Sequence, residues 1–438
     1  MNILIKGRAV FAVVSILALA VVAMFGGPGT TQTNPGQTGM EQRKMIEQYL
    51  RQHGFISIIK GIAEGKEAWD MDGPWQKGHG RSPEKQEDDD TYGEDDDEAS
   101  DSWLGSRYVL GFYVDDEYIH PSSYDRMVKH SENISAVAPF WYRLSPANGS
   151  KLQEHHPQED FTVQEKNRII NKAHQQNMEV LMLIHNLLYG GKANGKELAK
   201  QMLATNESRK AFIDSVEANL KEFNYDGINM DIESIYVADR DRFSALIKEL
   251  YERLSPEGYK VTVCVPAKTG DNPANTWSGP FDYREIAKYS DKVAIMTYDE
   301  HGYSSGPGPV ASYNWVEEVM EYAVGEIPAE KILMGIPGYG FDWTAGKTGA
   351  GYISYSQAMS LSASRGASVQ WDETARVPYF RYSENGQSHE VWFESRYSLE
   401  HKLDIAKEFD IGGIALWRIG LEDAGIWETI DKRIEAEK

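Results

Sequence analysis

The sequence predicts an α/β fold: a (β/α)8 TIM barrel with a small α+β insertion between strands seven and eight. Three observations carry this. Eight strand-like runs alternate with helical patterns over roughly 330 residues after Trp103, as such a barrel requires. The fourth run carries acids and an amide where a core strand should be apolar. No Gly-rich phosphate loop follows the first run, which argues against a doubly wound open sheet.

In chain order, the strand runs are 107–113, 134–142, 179–187, 225–233, 259–267, 292–298, 331–338 and 411–417. Each is short and rich in apolar or β-branched residues, the texture of a buried parallel strand. Helical patterns fall between them at 122–130, 163–175, 208–223, 240–254, 283–288, 314–324 and 398–409. Only the gap between strands seven and eight is long. Residues 341–395 carry their own Gly, Tyr and strand-like runs, at 377–382 and 390–393, and read as an inserted subdomain.

The barrel is expected to occupy 103–438, and what precedes it has a different texture. Lys6 and Arg8 stand before an uncharged apolar run, 9–25, the layout of an export signal. No small-x-small cleavage site follows, so 1–25 reads as a retained single-pass membrane anchor; a cleaved signal peptide is the alternative. Residues 26–102 read as a linker, with one amphipathic helix at 40–62 and an acidic tract after it. Between Glu84 and Asp101 there are eleven acids and one base. Such a block is a solvated, self-repelling spacer. The chain's net charge of −22 argues against nucleic acid as a partner. The single cysteine, Cys264, excludes an intrachain disulfide and reads as a small buried strand residue. The histidines form no H-x-x-x-H or Cys/His cluster, so no metal site is predicted.

The fourth strand reads Tyr225-Asp-Gly-Ile-Asn229-Met-Asp231-Ile-Glu233. Alternate side chains of a strand share a face, so Asn229, Asp231 and Glu233 form one set. Crowding two carboxylates disfavours ionising both and raises a pKa, which lets one act as a proton donor near neutral pH. Barrel enzymes carry their catalytic groups at the C-terminal ends of strands, where Glu233 falls. The sixth strand brings Met296 and Tyr298 to its mouth, and the eighth brings Trp417, an indole suited to a sugar ring. Tyr113, at the end of the first strand, and Asp299 are expected to line the cleft with Trp417, Met296 and Asn229. Asp226 has the wrong parity for the inward face and is assigned, with Gly227, to the structural part of the motif.

These motifs resemble the glycoside hydrolases of family 18, the chitinase family. Its signature is D-x-x-D-x-D-x-E on strand four, M-x-Y on strand six and Trp on strand eight. Here the matching residues are Asp226, Asn229, Asp231 and Glu233, then Met296 and Tyr298, then Trp417. Asn229 departs from the signature by replacing the middle aspartate. That variant, with the runs 296–302 and 336–340, is similar to the branch of bacterial spore-cortex and cell-wall peptidoglycan N-acetylglucosaminidases. No LysM-like repeat accompanies it.

The resemblance implies retaining, substrate-assisted hydrolysis of N-acetylglucosaminides, without metal or cofactor. It assigns Glu233 as acid and base, Asp231 as the group that orients the substrate acetamide, and Tyr298 as its hydrogen-bond donor. The expected partner is a glycan polymer containing N-acetylglucosamine, either peptidoglycan or chitin. The expected location is extracytoplasmic. The alternatives are a chitinase or chitooligosaccharide hydrolase and, from another class, a non-catalytic glycan-binding lectin.

Overall fold

The computed structural model describes residues 105–115, 122–155, 161–187 and 194–438. The expected anchor, linker helix and acidic tract lie outside these residues. Among the described residues, no helix is long and apolar enough to cross a membrane.

Eight parallel strands close into a barrel: β1 (Ser106–Tyr113), β2 (Ala136–Pro139), β3 (Glu179–His185), β4 (Gly227–Asp231), β5 (Lys260–Pro266), β6 (Lys292–Met296), β7 (Ile332–Pro337) and β8 (Gly413–Trp417). Each pairs with the next, and β8 pairs back onto β1 with Ala415 opposite Leu110. Strand parity then makes two cores. Inside the barrel lie Leu110, Phe112, Ala138, Leu183, Cys264, Ala294, Leu333 and Ala415. The opposite faces of the strands pack against the helices. Helix Arg240–Leu254 shows how: Phe243, Leu246, Ile247, Leu250 and Leu254 recur every three or four residues and are all buried. Helix ends follow local chemistry. The Thr205 hydroxyl caps helix Asn206–Phe223, which ends at Asn224 in the left-handed conformation an asparagine tolerates.

Between β7 and β8 runs the insertion, a five-stranded antiparallel sheet from Tyr339 to Phe393 with helix Tyr355–Arg365 against it. It matches the expected insertion, shifted by about two residues at each end.

Two features depart from the sequence reading. The strands at 225–233 and 292–298 stop early, at Asp231 and Met296. Glu233 and Tyr298 therefore stand on the loops just beyond. The run 134–142 is also broken. After β2, a second strand, Tyr142–Ser145, pairs with the end of β3 and forms a hairpin with Asn148–Glu154. The latter reads Asn-Gly-Ser-Lys-Leu-Gln-Glu and has no apolar alternation to reveal it.

Candidate active site

Asp231 and Glu233 lie at the C-terminal mouth of the barrel. Asp231 is the last residue of β4, points inward and is only 4% exposed. Burial pushes its carboxyl up to about 7, and a hydrogen bond from the Cys264 thiol partly opposes this. Glu233 is held well above the usual carboxylate range by burial first, then by the charges of Asp231 and Asp299. Two carboxyls in this setting retain a proton near neutral pH, so one of them can donate it.

The loop bearing Glu233 is fixed by Asn186, just past the end of β3. Its Oδ1 accepts from the backbone N–H groups of Glu233 and Ser234, at 3.1 and 3.3 Å. Its Nδ2 donates to the carbonyls of Ser234 and Gly195, at 2.8 and 3.1 Å. Asn186 is 1% exposed, so all these groups find partners in a place water does not reach.

Below the pair, Asn229 is fully buried. Its amide donates to Thr262 Oγ1 at 2.9 Å, and its Oδ1 accepts from Cys264 Sγ at 3.2 Å. Asn229 is thus tied sideways to β5. The Cys264 thiol lies between Asn229 and Asp231, and its one hydrogen is shared between their oxygens. Burial, then the Asp231 charge, raise it far above the ordinary thiol range, so it stays protonated and donates. Cys264 is thus the small buried strand residue expected, with a hydrogen-bonding role besides.

Tyr298 follows β6 by two residues. Burial and the surrounding Cys264 and acids keep its phenol protonated, hence a donor. Gly335 on β7 makes room for the ring: a Cβ there would come within 2.8 Å of Tyr298 Cε1 and 2.5 Å of the Ile295 carbonyl oxygen. Met296 ends β6 with the inward parity of Ala294. Asp299 adopts a left-handed conformation, φ 59°, that turns the chain out of the barrel. Its Oδ1 accepts from Tyr339 OH at 2.5 Å, joining the barrel mouth to the insertion. Trp417, half-buried at the end of β8, packs edge-on to Phe112 and Phe140, at 5.2 and 5.8 Å between ring centroids.

Tyr113 requires a correction. It ends β1 on the outer face, in the core shared with the helices. Its hydroxyl donates to Asp115 Oδ1 at 3.0 Å, and its ring packs against Trp141. Phe112, one residue earlier, has the inward parity. Asp226 sits at the other end of β4, where its Oδ2 accepts from the Val180 N–H at 2.7 Å and meets His174 Nε2 at 2.8 Å. Gly227 lies where a Cβ would come within 2.2 Å of the Lys260 carbonyl oxygen. Both residues bind strand to strand, away from the mouth. Asn186, Tyr339 and the bridging role of Cys264 escaped the sequence reading. Each acts through a contact with a strand distant in sequence, which no local pattern marks.

The site is that of a barrel enzyme built for proton transfer. The profile of the glycosyl hydrolases family 18 matches residues 110–422. A Bacillus subtilis protein described as the uncharacterized glycosylase YvbX is 30% identical over 313 residues, 71% of this chain and 88% of that one. The cortical fragment-lytic enzyme of the same organism is 33% identical, across 60% of this chain and 62% of that protein. Among solved structures, the Bacillus cereus spore cortex-lytic enzyme SleL superposes with a TM-score of 0.68 at 27% identity, covering 76% of each chain. The chain belongs to glycosyl hydrolases family 18. It is a glycoside hydrolase, close in sequence to spore cortex-lytic enzymes.

Proposed function

We propose that the protein cleaves the glycan of peptidoglycan after N-acetylglucosamine, by a retaining, substrate-assisted mechanism. The observation that carries the reading is the Asp231–Glu233 pair, the first buried and the second half-buried, with both carboxyls raised, beside a protonated Tyr298. Glu233 donates its proton to the glycosidic oxygen as the bond to the anomeric carbon breaks. The carbonyl oxygen of the sugar's own acetamide attacks that carbon and forms an oxazolinium ion. Asp231 accepts a hydrogen bond from the acetamide N–H and balances the positive charge, while Tyr298 donates to the acetamide oxygen. Water then adds to the anomeric carbon, giving its proton back to Glu233 and opening the ring with retained configuration. Trp417 supplies an apolar floor for the sugar.

Peptidoglycan is preferred over chitin because Asn229 stands in place of the family's middle aspartate. The named relatives, which include a cortical fragment-lytic enzyme, support the same choice. The apolar run 9–25 behind Lys6 and Arg8 supports an action outside the cytoplasm.

The test of the acid is Glu233→Gln. Activity on an N-acetylglucosaminide is expected to fall ~100-fold or more, with little change in folding. A variant as active as the parent would remove Glu233 from the mechanism. The substrate is tested by mass spectrometry of products from peptidoglycan, spore cortex and chitin oligomers side by side. Muropeptides released from the first two, with the chitin oligomers cut more slowly, are expected. Cleavage of the chitin oligomers alone would favour the chitinase.

A further inference from the structure

The hairpin that the sequence did not predict extends one row of the barrel's inner face sideways. Residue pairing sets Asp231 of β4 opposite His185 of β3, His185 opposite Arg143, and Arg143 opposite Gln153. Paired residues in adjacent strands project to the same side. The flanking residues Tyr142 and Leu144 belong to the outer core, so Arg143 takes the inward parity. Four strands therefore carry Asp231, His185, Arg143 and Gln153 in line at the mouth. Arg143 lies about two strand spacings, ~10 Å, from Asp231.

Two members of this row carry a buried N–H with no acceptor among the described residues. His185 is fully buried and stacked on Phe140, with 3.9 Å between centroids. Its Nδ1 accepts from the Leu187 N–H at 3.1 Å, and burial lowers its pKa to about 3. The ring is therefore neutral and carries its proton on Nε2. Among the described residues, that N–H has no acceptor. Arg143 Nε is likewise buried without a partner, and burial lowers the pKa of this guanidinium. A half-buried cation with a buried, unpaired N–H, beside a second orphaned N–H, is costly to maintain unless a ligand completes them. The complement of a guanidinium is a planar pair of oxygens on a carboxyl group.

Chitin offers no such group, since every sugar in it is a neutral N-acetylglucosamine. In peptidoglycan every second sugar bears a lactyl ether ending in a carboxyl group. With N-acetylglucosamine held at Asp231 and Glu233, the next sugar along the chain is the one that carries it. We propose that the His185–Arg143–Gln153 row is a subsite for the lactyl group of N-acetylmuramic acid, with Arg143 pairing its carboxyl oxygens. This rests on the reading of peptidoglycan as substrate and names the residue that selects it. The carboxyl occurs free or joined through an amide to a stem peptide. Both forms keep a carbonyl oxygen for Arg143, and the free carboxylate binds more strongly.

The test compares chitin oligomers with peptide-free strands of alternating N-acetylglucosamine and N-acetylmuramic acid of equal length. Arg143→Gln is expected to raise KM on the muramyl strands ~10-fold or more, while kcat/KM on chitin oligomers stays within about two-fold. Arg143→Lys should recover part of the loss, because it keeps a charge but not the fork. A parallel arm uses the unaltered protein on strands whose lactyl carboxylates are methyl-esterified, with the same rise in KM expected. That arm holds even if a variant folds poorly. Intact peptidoglycan, in which the carboxyl is amidated, should show a smaller Arg143→Gln effect than the free acid. Equal effects on muramyl and chitin substrates, or none on either, would overturn the subsite alone. A protein that cuts chitin oligomers but no muramyl strand would overturn the peptidoglycan reading and the subsite together.

Discussion

At the residue scale, the site depends on keeping protons on buried acids, and this has a stability signature. The Asp231 carboxyl is raised to about 7 in the folded chain, against about 3.9 for an unfolded aspartate. The folded state therefore binds the proton more tightly. Its contribution to stability is complete below pH ~4 and is lost as the pH rises through 7. Asp231→Asn carries no such titration. It should be inactive, yet melt at a higher temperature than the parent at pH 8, with the gap closing towards pH 4. Melting curves across that range check the sign, and a gap that widened in acid would contradict it. A second expectation concerns Asn229, which bonds Thr262 and Cys264 rather than sharing a charge with its neighbour. Asn229→Asp places a third carboxyl beside the pair and raises the proton affinity of Asp231. The acid limb of the pH–rate profile should move to higher pH. An unmoved limb would show that this position is uncoupled from catalysis.

At the element scale, strands β6 and β7 must approach closely for Tyr298 to enter the mouth, and Gly335 permits it. Gly335→Ala forces its methyl against the Tyr298 ring and the Ile295 carbonyl. A loss of about 1–3 kcal/mol in urea unfolding is expected, with a fall in kcat as the phenol is displaced. Full kcat in a destabilised variant would show that the ring accommodates the methyl. Elements are also where the limits of sequence legibility are plain. Continuous apolar runs and amphipathic helices located all eight barrel strands, because burial on both faces of a strand leaves a pattern that one stretch of chain displays alone. The parity of β4 put Asn229 and Asp231 inside and Asp226 at the structural end. Tyr113 was misplaced because the strand's end was read without its parity: Leu110 and Phe112 face in, so Tyr113 faces out. Helix Gly195–Leu203 and the hairpin strand Asn148–Glu154 were missed. The strand is polar, and its stability comes from packing against that helix and helix Asn206–Phe223. Arg143 could not be seen as part of the mouth until that hairpin was in place.

At the scale of the whole molecule, the insertion and the barrel share a core at the mouth. Tyr339, Phe341, Trp343 and Trp392 of the insertion form one apolar cluster with Val310 and Leu421 of the barrel loops, and Tyr298 and Trp417 pack against it. The Tyr339–Asp299 hydrogen bond crosses the same boundary. An independently folded subdomain would instead meet the barrel through a small, polar surface. Two active-site side chains thus depend for their packing on a segment inserted more than a hundred residues after the acid pair. Barrel and insertion should then unfold as one cooperative unit. The insertion contributes Trp343, Trp371 and Trp392, whereas backbone circular dichroism is dominated by the barrel and its helices. With these three tryptophans replaced by phenylalanine in one variant and retained in the other, the difference fluorescence reports the insertion alone. Its urea midpoint is expected to coincide with the far-ultraviolet midpoint, as two-state behaviour requires. An insertion that melts at lower urea, leaving the barrel signal intact, would show that the cluster around Trp417 does not couple them. The enzyme would then be able to open its cleft wall without unfolding.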